Sequence, residues 1–281
     1  MQRTFDVSGP VELDIRLTSG EIEIDPSLEG RVEIELTASD EESQRLIDEA
    51  RIELQERHGR PEVLVDVPQK RGFGISFSFG RSGISCRVRC PHDSGVKVRS
   101  KSADLRARGT IGGLNVATAS GDVGADRVSG GVTVKGASSD VTIREAGGAV
   151  NIQTASGDIE IELARGAVNA ATASGDVTIG EAYDNVTANT VSGDQDLGAV
   201  MRGKVSAQSV SGDVEIGVRR GSKAYLDCST VSGDTSSELD VSSEAPAGDG
   251  PLVEVHARTV SGDITIRRAP APAADIQEVH A

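Results

Sequence analysis

The chain has no tryptophan, two tyrosines and four phenylalanines among its 281 residues. Aromatic rings supply much of the buried area of an ordinary globular core. Their scarcity points to a thin, regular interior built from Val, Ile and Ala. No run approaches the ~18 consecutive apolar residues of a membrane-spanning helix. The opening Met1-Gln2-Arg3-Thr4-Phe5-Asp6 lacks the apolar stretch of a signal peptide, so the expected location is the cytoplasm and a membrane partner is not expected. Three cysteines, an odd number, do not make a disulfide framework. Positive charge is also short: 29 Lys and Arg stand against 44 Asp and Glu, a formal net charge of −15. An acidic body argues against a nucleic-acid surface, which needs a basic footprint. The shortage is uneven, because residues 60–110 hold 11 Lys/Arg and 4 Asp/Glu, a local +7. A solvated basic face is the simple reading of that stretch, and an anionic partner the alternative.

What the chain has in quantity is Ser-Gly-Asp. The tripeptide ends at Asp122, Asp158, Asp176, Asp194, Asp213, Asp234 and Asp263, and Asp104 and Asp140 fill the gaps in register. The spacing from Asp104 to Asp194 is 18 residues throughout, then 19, 21 and 29. A fixed period of this length means stacked copies of one supersecondary unit. Each unit divides into two similar halves of nine: Val150-Asn151-Ile152 ending at Gly157, and Ile159-Glu160-Ile161 ending at Gly166. The alternating apolar positions form a short strand with one face inward. A small apolar residue, as at Ala173, Val191 and Val210, then a Gly, marks a corner. The expected fold is all-β, a parallel β-solenoid with 18-residue coils. Val132, Val150, Val168 and Val186 stack inside it, and Asn115, Asn151 and Asn169 outside.

An open stack invites edge-to-edge pairing, and residues 1–95 read as a β cap over one end. Val11, Leu13, Ile15 and Leu17 alternate, and Thr18-Ser19-Gly20-Glu21 looks like a divergent copy of the corner. Ser39 with Glu42 reads as a capping box opening a short helix near 40–56, with Leu46, Ile47, Ala50 and Leu54 on one face. The solenoid is expected over 96–268, with a loop insertion at 242–251, and residues 269–281 as a disordered tail.

Several groups could carry function. A cation ladder over Asp122, Asp158, Asp176, Asp194 and Asp213 is one reading of the Asp column, and turn formation the simpler one. Thr118, Thr154, Thr172, Thr190, Thr230 and Thr259 form a second column, read as hydroxyl ladders rather than a water-ordering face. Phe73, Phe77 and Phe79, flanked by Arg71 and Arg81, form an interaction patch or an end plug. Cys86 and Cys90 lie near His92, and core thiols are the simpler reading than zinc. No Ser-His-Asp arrangement, nucleotide loop or cofactor motif stands out, and a polysaccharide-active β-helix enzyme would need aromatic platforms that this chain lacks.

The opening Thr4-Phe5-Asp6-Val7, the repeat Thr172-Ala173-Ser174-Gly175-Asp176-Val177-Thr178-Ile179, and the closing segment from Val255 to Arg268 resemble one family. It is the bacterial β-strand-repeat family of unknown function called "putative adhesin", in its actinobacterial form, and the resemblance covers residues 1 to about 268. It implies a β-solenoid, usually right-handed, without established catalytic residues. The expected function is a non-enzymatic scaffold or protein-interaction module, with self-association through a solenoid end or edge. The alternative is an adhesive or ligand-binding module that uses the Asp ladder or the basic, Phe-rich patch.

Overall fold

A computed structural model describes residues 1–57, 59–68, 83–239 and 250–269 of the chain. The fold is an all-β parallel β-solenoid with one short helix. It divides into two compact units, Met1–Thr142 and Ile143–Ala281.

In the first unit the coil pattern begins at residue 12, well before the expected start at 96. The strand Glu12–Asp25 makes a coil on its own. Leu13 and Ile15 of its first half stack on Val96 and Val98, and Ile22 and Ile24 of its second half on Leu105 and Ala107. Between the halves, Gly20 has φ +127, close to that of the later Ser-Gly-Asp glycines. Gly95–Ile111 carries Gly113–Ala117 and Val123–Val128 in the same parallel register. The other edge of Glu12–Asp25 carries Arg60–Asp66 and Ile84–Arg89. There the pairing changes sense: Arg51–Arg57 runs antiparallel on Arg60–Asp66, Arg31–Ala38 on Ile84–Arg89, and Gln2–Asp6 on Arg31–Ala38. These short antiparallel layers cover the edge that a parallel stack would expose.

The helix spans Glu41–Asp48, and its N-cap is Asp40, whose Oδ1 accepts the Ser43 N–H at 2.7 Å. It is shorter than the expected 40–56. Residues 51–55 alternate polar and apolar, and the strand Arg51–Arg57 sets Ile52 opposite Val65 and Leu54 opposite Val63. Pairing with a neighbouring strand outweighs the helical spacing of Ala50 and Leu54.

In the second unit, coils 150–164, 168–182, 186–200 and 203–218 stack in chain order. Val150, Val168, Val186 and Val205 form one core column, and Ile161, Ile179, Leu197 and Ile216 another. Outside, Asn169 Nδ2 donates to Asn151 Oδ1 at 3.3 Å. Chain order then fails. The coil lying on 203–218 is 252–268, with Val255 beside Val205 and Ile266 beside Ile216. Coil 223–237, made earlier in the chain, lies on the far side of it, with Leu226 beside Val255 and Thr235 beside Ile264. The inserted coil is sealed on both sides: Val253, Val255, Ala257, Ile264 and Ile266 are fully buried. Ala224, Leu226 and Cys228 of the outer coil are only partly covered. The intervals of 21 and 29 residues therefore mark an overshoot and return, and most of the expected insertion at 242–251 lies outside the described residues.

Candidate functional site

The Ser-Gly-Asp corner is the most repeated local structure. Gly175, Gly193, Gly212, Gly233 and Gly262 in the second unit have φ between +142 and +147, and Gly157 has φ +126. A Cβ on Gly193 would also collide with the carbonyl oxygen of Gly175 in the neighbouring coil. Conformation and close approach both demand glycine here. The aspartates do more than form turns. Asp176 Oδ1 accepts the backbone N–H of Asp194 at 2.8 Å, Asp194 that of Asp213, Asp213 that of Asp263, and Asp263 that of Asp234, each at 2.8 Å. Asp158 accepts from Asp176 at 2.9 Å, and in the first unit Asp104 accepts from Asp122 at 3.0 Å. Each carboxylate thus ties its coil to the next through a charge-assisted hydrogen bond. Among the described residues no group of three or more His, Cys, Asp or Glu could hold a metal ion.

The threonine column is turned inward. Thr172, Thr190 and Thr259 are buried, and Thr190 Oγ1 donates to Gly193 O at 3.2 Å, Thr259 to Gly212 O at 3.2 Å and Thr230 to Gly262 O at 3.0 Å. The hydroxyls brace the corner carbonyls instead of forming an outer row.

With Thr inward, the next residue must point out. That residue is the small apolar one that marks the corner, and the structure exposes it. It holds Ala119 and Ala137 in the first unit, then Ala155, Ala173, Val191, Val210, Val260 and Val231 in the second, all exposed. The four valines are 54%, 49%, 49% and 82% exposed, in that order. The serines that follow them pair in parallel, Ser192 with Ser211, Ser211 with Ser261 and Ser261 with Ser232. The valines therefore lie on consecutive coils, about 4.8 Å apart, as a continuous apolar ridge. Strict alternation carried one residue further, from Val168 through Ala170 to Thr172, would have placed Ala173 and its equivalents outside.

The other candidates fall in different places. Cys86 and Cys90 are fully buried, and burial pushes their thiols up to about 12 and about 11. His92 is exposed. Phe73, Phe77, Phe79, Arg71 and Arg81 lie outside the described residues. Much of the basic stretch pairs with the acidic N-terminal strands: Arg87 with Glu23 at 2.9 Å, Arg108 with Glu23 at 3.2 Å, Arg89 with Glu33, and Lys97 and Arg99 with the buried Asp14, each at 3.7 Å. Proximity in the fold, invisible along the chain, accounts for that local excess of charge.

One constellation escaped the sequence. The inserted coil brings Ser206, His256 and Asp227 to paired positions on three adjacent strands. His256 Nδ1 lies 3.2 Å from Asp227 Oδ2, and Arg258 reaches the same oxygen at 3.6 Å. Ser206 Oγ instead accepts Gln208 Nε2 at 3.4 Å. The three side chains stand on a sheet face whose neighbouring backbone groups are engaged in strand pairing. A nucleophile needs its base within hydrogen-bond reach and donors aimed at the developing oxyanion, and this face supplies His256 to Asp227 alone.

No curated protein matches the chain. Similar solved structures include a "putative adhesin" from Parabacteroides distasonis ATCC 8503, 14% identical, covering 94% of this chain and 96% of that one with a TM-score of 0.46. Another is a "putative adhesin" from Bacteroides fragilis NCTC 9343, 13% identical, covering 95% and 96% with a TM-score of 0.44. A third is a "putative lipid binding protein" from Parabacteroides distasonis ATCC 8503, 12% identical, covering 95% and 96% with a TM-score of 0.45. The Toastrack DUF4097 family model matches residues 11–267, nearly the whole solenoid, and this chain belongs to that family.

Proposed function

We propose that this protein is a non-enzymatic interaction module that docks a protein partner along its valine ridge. The observation that carries the reading is the row Val191, Val210, Val260 and Val231, exposed on four consecutive coils where earlier coils carry alanine. A contiguous apolar strip on a protein surface marks an interaction site, whereas alanine at the same corner satisfies the coil equally well. The ridge is rigid, because each valine is flanked by a buried or half-buried Thr or Ser and by a Gly whose φ is fixed. A rigid strip loses little entropy on binding.

The test replaces all four valines by serine. Their side chains face solvent, so each change should stay within about 0.5 kcal/mol in stability. In-cell crosslinking should capture a defined protein with the wild type and lose it with the quadruple variant. Capture of the same protein at equal yield by the variant overturns the reading.

A further inference from the structure

Coils 203–218 and 223–237 are joined by residues 219–222, yet among the described residues they share no strand pairing. Coil 252–268 fills the slot between them. On one face Leu252–Ser261 pairs with Gly203–Gln208 on one edge and with Lys223–Ser232 on the other. On the second face Ile264–Arg268 pairs with Val214–Val218 and with Thr235–Ser237. The corner is bonded on both edges as well: Gly212 N donates to Ser261 O and Gly262 N to Ser232 O, each at 3.0 Å. The coil is held by backbone ladder, Asp ladder, apolar burial, the Thr259 hydrogen bond to Gly212 O, and the pairs His256 and Arg258 with Asp227 and Arg267 with Asp196 and Glu215, all of it independent of which chain supplies the coil.

We propose that coil 252–268 is an exchangeable element, and that two copies of this protein form a reciprocal dimer in which each copy's coil fills the other's slot. Exchange reproduces every contact of the closed form, so its balance is set by the tether and by concentration. The tether is long for this coil alone. Successive coils of the second unit are linked by residues 165–167, 183–185, 201–202 and 219–222, too short to let a coil leave its neighbours. Residues 238–251 connect Thr235–Ser237 to Leu252–Ser261. At about 3.4 Å per extended residue they reach roughly 45 Å, enough to reach another copy. When the slot empties, the registers place Leu226 opposite Val205 and Cys228 opposite Ala207, because both pairs share Val255 and Ala257 as their present neighbours. The open form is thus an ordinary sequential stack, which lowers the cost of release. Val260 travels with the coil, and a coil supplied by the second copy puts it back in the ridge; the exposed valine side chains hold none of the slot contacts, so the exchange stands apart from the docking reading.

The experiment uses the full chain carrying Ala257→Cys. Ala257 is the paired neighbour of Cys228, and the other two thiols, Cys86 and Cys90, are buried. The variant is held near its unfolding midpoint at a series of concentrations, cooled and oxidised with diamide, then run on a non-reducing denaturing gel. The expected result is a disulfide-linked dimer in which Cys228 of one chain is bonded to the introduced thiol at position 257 of a second, differently isotope-labelled chain. Its yield should rise with concentration. The same bond found only within single chains at every concentration overturns the proposal. If that bond does not form, light scattering on the wild type after the same treatment decides. A species of twice 29.1 kDa that survives hours of dilution supports exchange, while a strict monomer, or a dimer that separates on mixing, overturns it. The four-valine variant should exchange as the wild type does, so the two readings fail separately.

Discussion

Asp176 shows what one residue does in this fold. Its Oδ1 accepts the Asp194 N–H at 2.8 Å, and its own N–H donates to Asp158 at 2.9 Å. Like charges lie one coil away on either side, so the ladder combines attraction to backbone N–H groups with repulsion between carboxylates. Asparagine keeps the acceptor oxygen and removes the repulsion; alanine removes the acceptor. Asp176→Asn should therefore unfold in urea within about 0.5 kcal/mol of the wild type, and Asp176→Ala about 1 kcal/mol below it. Neither calcium nor a chelator should move the midpoint, since Oδ1 of Asp158, Asp176, Asp194, Asp213 and Asp263 each already accepts a backbone N–H. The buried thiols make a second residue-scale case. Burial holds Cys86 at about 12 and Cys90 at about 11, from an ordinary value of 9.0. The native state keeps protons that the unfolded chain releases. Stability from these thiols is complete below pH 9 and is lost as pH rises toward 11 and 12. Urea midpoints measured from pH 8.5 to 10.5 should fall, and the Cys86→Ala, Cys90→Ala double variant should show a shallower fall from a lower starting point.

At the element scale the unit is the coil, and its position in the stack decides how well it is held. Coil 252–268 has ladders on both edges, while coil 223–237 has one. Amide exchange follows local opening, so protection should run against chain order. Val255, Ala257 and Ile266 should exchange at rates close to the core columns, and Leu226, Cys228 and Ser236 markedly faster; equal rates would contradict the stacking order. The 18-residue period made most of this element legible. It placed the strands, the core columns at Val168 and Ile179, and the corner glycines, because each position repeats one physical demand. The Gly20 corner was visible for the same reason. The order of the last coils was hidden, since Thr190-Val191-Ser192, Thr230-Val231-Ser232 and Thr259-Val260-Ser261 meet those demands equally and fit any neighbour. The outward ridge was half legible: its residues stood in the repeat, but their face depended on whether alternation continued into the corner. The salt bridges around Asp14, Glu23 and Glu33 were beyond reach, because they join residues far apart in the chain.

For the whole molecule the governing quantity is charge. Residues 1–142 hold 19 Lys/Arg against 23 Asp/Glu, while residues 143–281 hold 10 against 21. The second unit thus carries most of the net −15, and it also carries the Asp ladder from Asp158 to Asp234 and the slot of the exchangeable coil. Self-repulsion of this size opposes compactness and opposes the approach of a second copy. Salt screens it over a Debye length of about 10 Å at 0.1 M and about 3 Å at 1 M. The surface ion pairs of the first unit, such as Arg87 with Glu23, lose strength under the same screening, but exposed pairs contribute only about 0–1 kcal/mol each. Repulsion should therefore dominate the response. Raising sodium chloride from about 0.02 to about 0.5 M shortens the Debye length several-fold and should raise the unfolding temperature in calorimetry. The gain should appear mainly in amide protection of residues 150–268. A flat or falling unfolding temperature would mean that the Asp ladder's hydrogen bonds already offset the charge of the second unit at low salt.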